Sequence, residues 1–195
     1  MKYSIDLACS SSDAWLEAVM NDFPSFLQDH ADCERKASAM AMSFVAKYPT
    51  RVEIIPELIE TGIEELEHFQ QVYYLMEKKG ILLAKEMQKD LYIQQLMSLT
   101  QGGTRETRFR DRLLIASVIE CRGCERFKLV SENIGDEELS HFYKALWASE
   151  AKHGNIFVKM ALKYFEEKPV YDRLESLMVE EAKILNTLDI RSALH

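Results

Sequence analysis

Apolar residues recur at intervals of three and four along most of this 195-residue chain, and no stretch alternates with period two. This pattern is typical of amphipathic helices that bury one face. It predicts four long helices, separated by turn-forming residues around positions 48–50, 80–103 and 133–136. Their expected bounds are Pro24 to about Lys47, Val52 or Pro56 to Lys79, Arg105 to Asn133, and Asp136 to Glu166.

Three shorter helices are predicted outside the four long ones. The first, Asp13 to Met20, follows two serines that suit an amino-terminal cap. The second, Met87 to Leu99, lies inside the long connection from Ile81 to Gly103. Pro169 is expected to interrupt the chain before a last helix, Tyr171 to Leu188.

Two Glu-x-x-His motifs each follow a lone glutamate by about 30 residues: Glu34 precedes Glu65-Leu66-Glu67-His68, and Glu120 precedes Glu150-Ala151-Lys152-His153. A turn lies near the middle of both intervals. At 1.5 Å rise per residue, each hairpin therefore runs ~20 Å out and ~20 Å back, which returns its acids to one height. All four glutamates also fall on apolar stripes, where an uncompensated carboxylate is unfavourable.

Four carboxylates and two imidazoles on four helices form the ligand set of a carboxylate-bridged di-iron or di-manganese centre. We therefore predict an all-α, ferritin-like four-helix bundle with a long crossover between its second and third core helices, plus short N-terminal, crossover and C-terminal helices. A single domain, residues 1–195, is expected because no linker rich in Pro, Gly or Ser divides the chain. The predicted metal ligands are Glu34, Glu65, His68, Glu120, Glu150 and His153.

The composition agrees with one helical domain, since 47% of residues are hydrophobic and only 7 Gly and 4 Pro occur. The four cysteines do not suggest a disulfide framework, and no signal peptide is recognisable. No apolar run approaches the ~20 residues that span a bilayer. We expect a soluble, cytoplasmic protein with no membrane partner. Cys124 is interpreted as a packing residue. His30 lies one turn before Glu34 and is interpreted as a packed or surface histidine, with a position beside the metal ligands as the alternative.

Three segments carry a resemblance to a known family: Asp32-Cys33-Glu34-Arg35-Lys36-Ala37, Ile119-Glu120-Cys121-Arg122-Gly123-Cys124-Glu125-Arg126-Phe127, and Ser149-Glu150-Ala151-Lys152-His153. Together they resemble the bacterial tRNA 2-methylthio-isopentenyladenosine hydroxylases, which are ferritin-like di-iron monooxygenases. The resemblance covers roughly Trp15 to Leu188.

The resemblance implies roles for the predicted ligands. Glu65 and Glu150 would bridge two iron ions, Glu34 and Glu120 would bind terminally, and His68 and His153 would each ligate one iron. The implied reaction hydroxylates an allylic methyl of the isopentenyl group beside the anticodon. It uses O2 as co-substrate and an external electron donor, such as a reductase or ferredoxin-type protein. No catalytic residue is assigned beyond the metal ligands.

A net charge of −8 and a pI near 5.2 are unexpected for a protein that binds tRNA, because contacts between basic residues and phosphates dominate affinity for nucleic acids. Basic residues nevertheless cluster at three places: the start of the third long helix, the first hairpin turn, and the crossover with Lys78, Lys79, Lys85 and Lys89. We predict that one of these clusters rims the entrance to the metal site and grips the anticodon stem-loop. An ordinary salt-bridged helix surface explains them equally well, and Arg122 and Arg126 suit either an ion-pair network or substrate binding. The candidate tRNA contacts are Arg105, Arg108 and Arg110 at the start of the third long helix, and Lys47 and Arg51 beside the first hairpin turn.

Two other functions are compatible with the same residues. A ferroxidase or peroxidase of the ferritin and rubrerythrin kind uses the same ligands, although the chain lacks a second Cys-x-x-Cys pair and has an additional helix beyond Pro169. A metal-free helical interaction protein would instead use the acids and histidines as buried polar pairs.

Overall fold

The computed structural model describes residues 5–86 and 89–195, and within these ranges the regular structure is entirely α-helical. None of these helices is both long enough and apolar enough to cross a bilayer. The helices are α1 (Asp13–Asn21), α2 (Phe23–Lys47), α3 (Ile55–Lys78), α4 (Leu91–Ser98), α5 (Arg105–Asn133), α6 (Glu137–Glu150), α7 (His153–Leu162) and α8 (Glu167–Leu185).

The contacts between residues divide the chain into two compact units. One unit, called here the α2–α3 unit, consists of Glu17–Lys89 and Arg191–Leu194. The other, called the α4–α8 unit, consists of the residues up to Leu16 together with Asp90–Ile190 and His195. Each unit contains one of the two Glu-x-x-His motifs.

Polar side chains cap the amino-terminal ends of helices at points where turn-forming residues are followed by the apolar periodicity of a helix. The Asp22 carboxylate accepts a hydrogen bond from the Ser25 N–H, and Pro24 occupies the first turn of α2, where its missing N–H is harmless. Thr104 and Asp136 cap α5 and α6 in the same way. Gly80 ends α3 with φ of 69°, a left-handed conformation that glycine adopts without strain.

In the α2–α3 unit the two long helices pack antiparallel as a hairpin. Gly62 permits their close approach, because a Cβ at that position would lie 2.9 Å from the Met42 Cε and 3.6 Å from the Ser38 carbonyl oxygen. The Ser38 hydroxyl also donates to the Gly62 carbonyl oxygen at 2.7 Å. This register places Glu34 of α2 opposite Glu65 of α3, as the sequence spacing predicted.

In the α4–α8 unit, α5 is the central helix. Its Ser117 hydroxyl donates to the Gly154 carbonyl oxygen of α7 at 2.7 Å, and its Ser131 carbonyl oxygen accepts from the Ser140 hydroxyl of α6 at 2.7 Å. The α6–α7 segment therefore runs antiparallel to α5, which brings Glu120 to the level of Glu150.

A buried ion pair joins α5 to α8. Arg122, fully buried, donates from Nε and Nη2 to the two carboxylate oxygens of Glu181, at 2.8 and 3.0 Å. The Tyr92 hydroxyl of α4 donates to the same carboxylate at 3.0 Å, and Arg122 Nη2 donates to the Cys9 carbonyl oxygen at 2.9 Å. The ion-pair interpretation of Arg122 is thereby confirmed, and the network connects three helices with the amino-terminal segment.

The prediction of one unbroken helix from Asp136 to Glu166 was wrong. The structure ends α6 at Glu150 and begins α7 at His153, and α7 ends at Leu162. Ala151 and Lys152 between them keep right-handed helical φ and ψ, so the apolar periodicity continues across the interruption. A pattern of side chains cannot reveal a break that leaves their spacing intact.

Two other predicted bounds need correction. The last helix spans Glu167–Leu185 rather than Tyr171–Leu188, because Pro169 lies within its first turn, where no N–H is required. The crossover helix was predicted to begin at Met87, which lies outside the described residues. In the structure Asp90 caps α4, which begins at Leu91.

Two glycines of the α4–α8 unit provide a matched test of its packing. A Cβ at Gly154 would lie 2.6 Å from the Cys121 Sγ, whereas a Cβ at Gly123 would meet no atom within 4 Å. We expect Gly154→Ala to lower the free energy of unfolding by about 1–3 kcal/mol through overpacking. We expect Gly123→Ala to raise it by about 0.5–1 kcal/mol, since alanine favours a helix interior. Urea unfolding measures both changes.

A second substitution makes this prediction specific. Removing the Sγ with Cys121→Ala should restore most of the stability that Gly154→Ala loses. Equal stability of the Gly154→Ala and unsubstituted proteins would contradict the close approach of α5 and α7.

Candidate metal centre

The α2–α3 unit gathers three of the predicted ligands. Glu34 lies on α2, and Glu65 and His68 lie one turn apart on α3. All three are buried, with 5%, 1% and 5% of their surface exposed. One donor atom from each lies within 4.8 Å of the others. We call this set the first half-site.

His30 is a polar neighbour of the first half-site, the alternative that sequence analysis ranked below a packed or surface histidine. Its Nε2–H donates to the Glu34 Oε1 at 2.6 Å, since an ionised carboxylate can only accept. Burial, together with the nearby His68, lowers the pKa of His30 to about 3, so its imidazole is neutral. The sequence does contain a signal for this contact, because His30 and Glu34 are four residues apart on one helix and so share a face.

The α4–α8 unit gathers the other three predicted ligands, which we call the second half-site. Glu120 lies on α5, Glu150 is the last residue of α6, and His153 is the first residue of α7. One donor atom from each lies within 4.8 Å of the others. Glu150 and His153 are buried, and the His153 Nδ1 lies 2.5 Å from the Glu150 Oε2. The interruption of the helix therefore does not separate the two ligands.

Two cysteines flank the second half-site on α5. Burial raises the pKa of the Cys121 thiol to about 12 and that of the Cys124 thiol to about 11, and nearby acidic groups add to both shifts. Both thiols are therefore neutral at physiological pH. The Cys124 thiol also contacts the Trp147 carbonyl oxygen at 3.8 Å, which agrees with a packing role.

The donor chemistry of each half-site fits a metal ion. Each provides two carboxylates and one imidazole, the oxygen and nitrogen ligands that iron and manganese accept, and neither provides a thiolate. Clustering of two buried carboxylates is unfavourable without a compensating cation. The residues present therefore suit the predicted metals.

The predicted tRNA contacts lie at the start of α5, at the end of α2 and in the turn that follows α2, away from these ligands in the sequence. Arg105 and Arg108 are exposed at the start of α5, and the Arg108 Nη1 donates to the Gly103 carbonyl oxygen at 2.9 Å. Arg110 forms an ion pair with Asp111 at 2.8 Å. Lys47 is exposed in the last turn of α2, and Arg51 follows in the turn. Their role in binding stays a prediction.

Comparison with known proteins places the chain in a family. The model of the tRNA-(MS2IO6A)-hydroxylase family (MiaE) matches residues 2–195. The chain belongs to this family. The family resemblance predicted from three sequence segments is thereby confirmed.

Two curated relatives carry the name tRNA 2-(methylsulfanyl)-N(6)-isopentenyladenosine(37) hydroxylase. The relative from Pseudomonas putida is 33% identical over 189 residues, which cover 97% of this chain and 91% of that protein. The relative from Salmonella typhimurium is 24% identical over 204 residues, covering 80% of this chain and 74% of that protein. The similarity to the first extends over nearly the whole of both proteins.

A solved structure shares the fold. It is described as protein 43 with aldehyde deformylating oxygenase activity from Synechococcus, and it is 30% identical to this chain with a TM-score of 0.91. The match covers 100% of this chain and 96% of that protein. The predicted all-α, ferritin-like fold class is confirmed.

Proposed function

We propose that this protein hydroxylates the isopentenyl group of 2-methylthio-isopentenyladenosine next to the anticodon of tRNA. The family match over residues 2–195 supports this assignment, as do two relatives named for the same nucleoside. The observation that carries the chemistry is the buried Glu–Glu–His set that each of the two units contains. Such a pair of sets suits an oxygenase better than a helical interaction protein.

The two half-sites together are proposed to hold two iron ions in one folded domain. In this arrangement Glu65 and Glu150 would bridge the ions, Glu34 and Glu120 would bind terminally, and His68 and His153 would each bind one ion. The repetition of the same donors in both units supports this assignment, since a di-iron centre takes equivalent ligands from two helix pairs. When bound, the iron pair supplies the activation of O2.

The proposed reaction replaces a C–H bond of the allylic methyl with a C–OH bond. One oxygen atom of O2 enters the product, and the other leaves as water after two electrons and two protons are consumed. The electrons come from an external donor, a reductase or ferredoxin-type protein. Within the protein, five of the six proposed ligands are buried and Glu120 is half-buried, which limits the access of bulk water to the reacting methyl.

The proposed partner is the anticodon stem-loop, bound through exposed basic residues, and the proposed location is the cytoplasm. Arg105, Arg108 and Arg110 form the candidate cluster on α5, and Lys47 and Arg51 form the candidate cluster on the α2–α3 unit. Charge reversal at Arg105 and Arg108 that left tRNA turnover unchanged would exclude the first cluster.

Nucleoside mass spectrometry of cellular tRNA tests the proposed function. Cells that make the modified adenosine but lack this protein should accumulate the isopentenyl form. Expression of the protein should convert it to the hydroxylated form with a mass increase of one oxygen atom. An unchanged nucleoside profile, with the protein expressed and iron-loaded, would overturn the proposal.

Similarity to the Synechococcus protein favours aldehyde oxygenation as a second candidate activity. A ferroxidase or peroxidase would use the same ligands. Incubation of the iron-loaded protein with a reductant and an aldehyde, with peroxide, or with excess ferrous iron and O2 separates these activities from hydroxylation. We expect turnover of the modified tRNA to exceed the other three.

His30 offers a test of how the first half-site is organised. We expect His30→Leu to weaken iron binding about 10–100-fold, because loss of a ligand's hydrogen-bond partner typically has this effect. Leucine preserves the apolar bulk, and His30→Gln should restore part of the affinity by returning a donor. Anaerobic iron titration against a competing chelator measures the change.

Exposed His141 on α6 provides the matched control. His141→Leu should leave iron affinity unaltered. If His30→Leu bound iron as tightly as the unsubstituted protein, the contact with Glu34 would have no role in holding the metal.

A further inference from the structure

A solvent-accessible cavity of about 510 Å³ lies within the α4–α8 unit. The amino-terminal segment Ile5–Ser10 forms one wall, and α5, α6 and the start of α7 form the others. Its volume falls in the range of small-molecule sites, roughly 300–1,000 Å³. Neither sequence reasoning nor the metal ligands alone identified this space.

The cavity reaches the second half-site. Glu120 and Glu150, two of its three proposed metal ligands, contribute to the lining. A molecule that enters this cavity can therefore place a reacting group beside the carboxylates. The cavity thus provides a route from solvent to the proposed metal position.

Trp147 and Lys128 both line this cavity. Trp147 is half-buried, and the Lys128 Nζ lies 5.4 Å from the centre of its indole ring. Aromatic rings stack on unpaired bases, and lysines contact phosphates. Lys128 is exposed and its ion pair with Glu132 is 4.0 Å long, so the ammonium group can move to a phosphate at small cost.

The spacing of these residues along their helices matches the shape of a modified nucleotide. Trp147 precedes Glu150 by three residues on α6, which is about 4.5 Å along the helix axis. If a purine stacked on Trp147, its five-carbon substituent could extend about one helical turn along α6 and reach the level of Glu150. The backbone of Lys128 lies eight residues, about 12 Å, beyond Glu120 along α5, so its flexible side chain can reach a phosphate on the outer side of a base stacked on Trp147.

We propose that this cavity receives the extruded 2-methylthio-isopentenyladenine, with Trp147 stacking on the purine, Lys128 contacting a flanking phosphate, and the isopentenyl group directed to Glu120 and Glu150. The proposal rests on the proposed function and assigns its substrate pocket. Extrusion is required because a base within a stacked loop cannot bring its substituent into a buried site. Trp147 and Lys128 are thus specificity-determining residues outside the basic clusters predicted from sequence.

Steady-state kinetics on a modified anticodon stem-loop RNA tests the two side chains. We expect Trp147→Leu to raise KM at least fivefold, since loss of base stacking has effects of this size or larger, with unchanged iron content. We expect Lys128→Gln to raise KM and to reduce the salt dependence of binding by about one phosphate contact. Turnover of the free modified nucleoside should respond to Trp147→Leu but not to Lys128→Gln.

Exposed residues elsewhere supply the matched controls. Tyr74→Leu on α3 removes an exposed aromatic ring, and Lys183→Gln on α8 removes an exposed cation. Both should leave KM unchanged. KM values for Trp147→Leu and Lys128→Gln equal to those of the controls would overturn the pocket assignment. Absence of turnover by the unsubstituted protein would instead contradict the proposed function.

Thiol protection tests the pocket in the unsubstituted protein, so the result does not depend on how a variant folds. Three cysteines line the cavity, Cys9, Cys121 and Cys124, whereas Cys33 lies on α2 in the other unit. Because the raised pKa values of Cys121 and Cys124 slow their alkylation, Cys9 is the reporter. We expect the modified stem-loop to slow alkylation of Cys9 by N-ethylmaleimide, with Cys33 as the internal reference in peptide mass spectrometry. An unmodified stem-loop should protect less. Equal alkylation with and without the modified RNA, or protection by an aldehyde in its place, would contradict the proposal.

Discussion

Glu150→Ala is expected to abolish hydroxylation, lowering turnover by at least about 100-fold, and to reduce iron occupancy. Even the loss of a ligand's hydrogen-bond partner weakens a metal site about 10–100-fold, and Glu150 is proposed to bind both ions. Turnover of the modified tRNA and iron content after anaerobic reconstitution measure the two effects. Retention of full activity would exclude Glu150 as a ligand.

The metal-free form of the same variant should behave differently. Glu120 and Glu150 place carboxylate oxygens within 4.8 Å of each other, and repulsion between two carboxylates at this distance disfavours the metal-free fold. In urea that contains a chelator, we expect the unfolding midpoint of Glu150→Ala to lie at a urea concentration no lower than that of the unsubstituted protein. Glu67→Ala, an exposed substitution inside the first Glu-x-x-His motif, should alter neither activity nor iron content.

Arg122→Met should produce the largest loss of stability in the α4–α8 unit. It leaves the Glu181 carboxylate buried without its guanidinium, and breaking such a pair typically costs about 3–5 kcal/mol. The loss appears as a lower midpoint of urea unfolding. Iron content of the surviving folded protein should change far less than in Glu150→Ala.

A double substitution separates the ion pair from packing. Arg122→Met with Glu181→Leu removes both charges and should recover a large part of the stability, although Tyr92 then lacks its acceptor. Lys183→Ala, which removes an exposed ion pair with Glu180, should change stability by less than about 1 kcal/mol. Additive losses in the double variant would show that the two side chains act independently.

Local periodicity was sufficient to predict most of the helices and the convergence of ligands within each unit. The bounds of α5 and the end of α2 agree with prediction because capping and apolar spacing change together there. Each glutamate returns to the height of its partner motif because two helices of equal length share one turn. These features depend on residues close in sequence.

Other features depend on contacts that sequence spacing does not encode. Glu181 is 59 residues from Arg122, so the identity of its ion-pair partner could not be inferred from either helix alone. The cavity depends on how the amino-terminal segment lies across α5, which no periodicity determines. The position of His30 beside the ligands was ranked second for a different reason, since its contact with Glu34 is local but histidine on an apolar face is common.

Because of the interruption at Ala151–Lys152, the three proposed ligands of the second half-site differ in how rigidly their helices hold them. Glu120 is held in the interior of a 29-residue helix, whereas Glu150 and His153 occupy two helix ends joined by a two-residue linker. Helix ends have fewer backbone hydrogen bonds and open more readily than helix interiors. We therefore expect Glu150 and His153 to adjust their positions on metal binding more readily than Glu120.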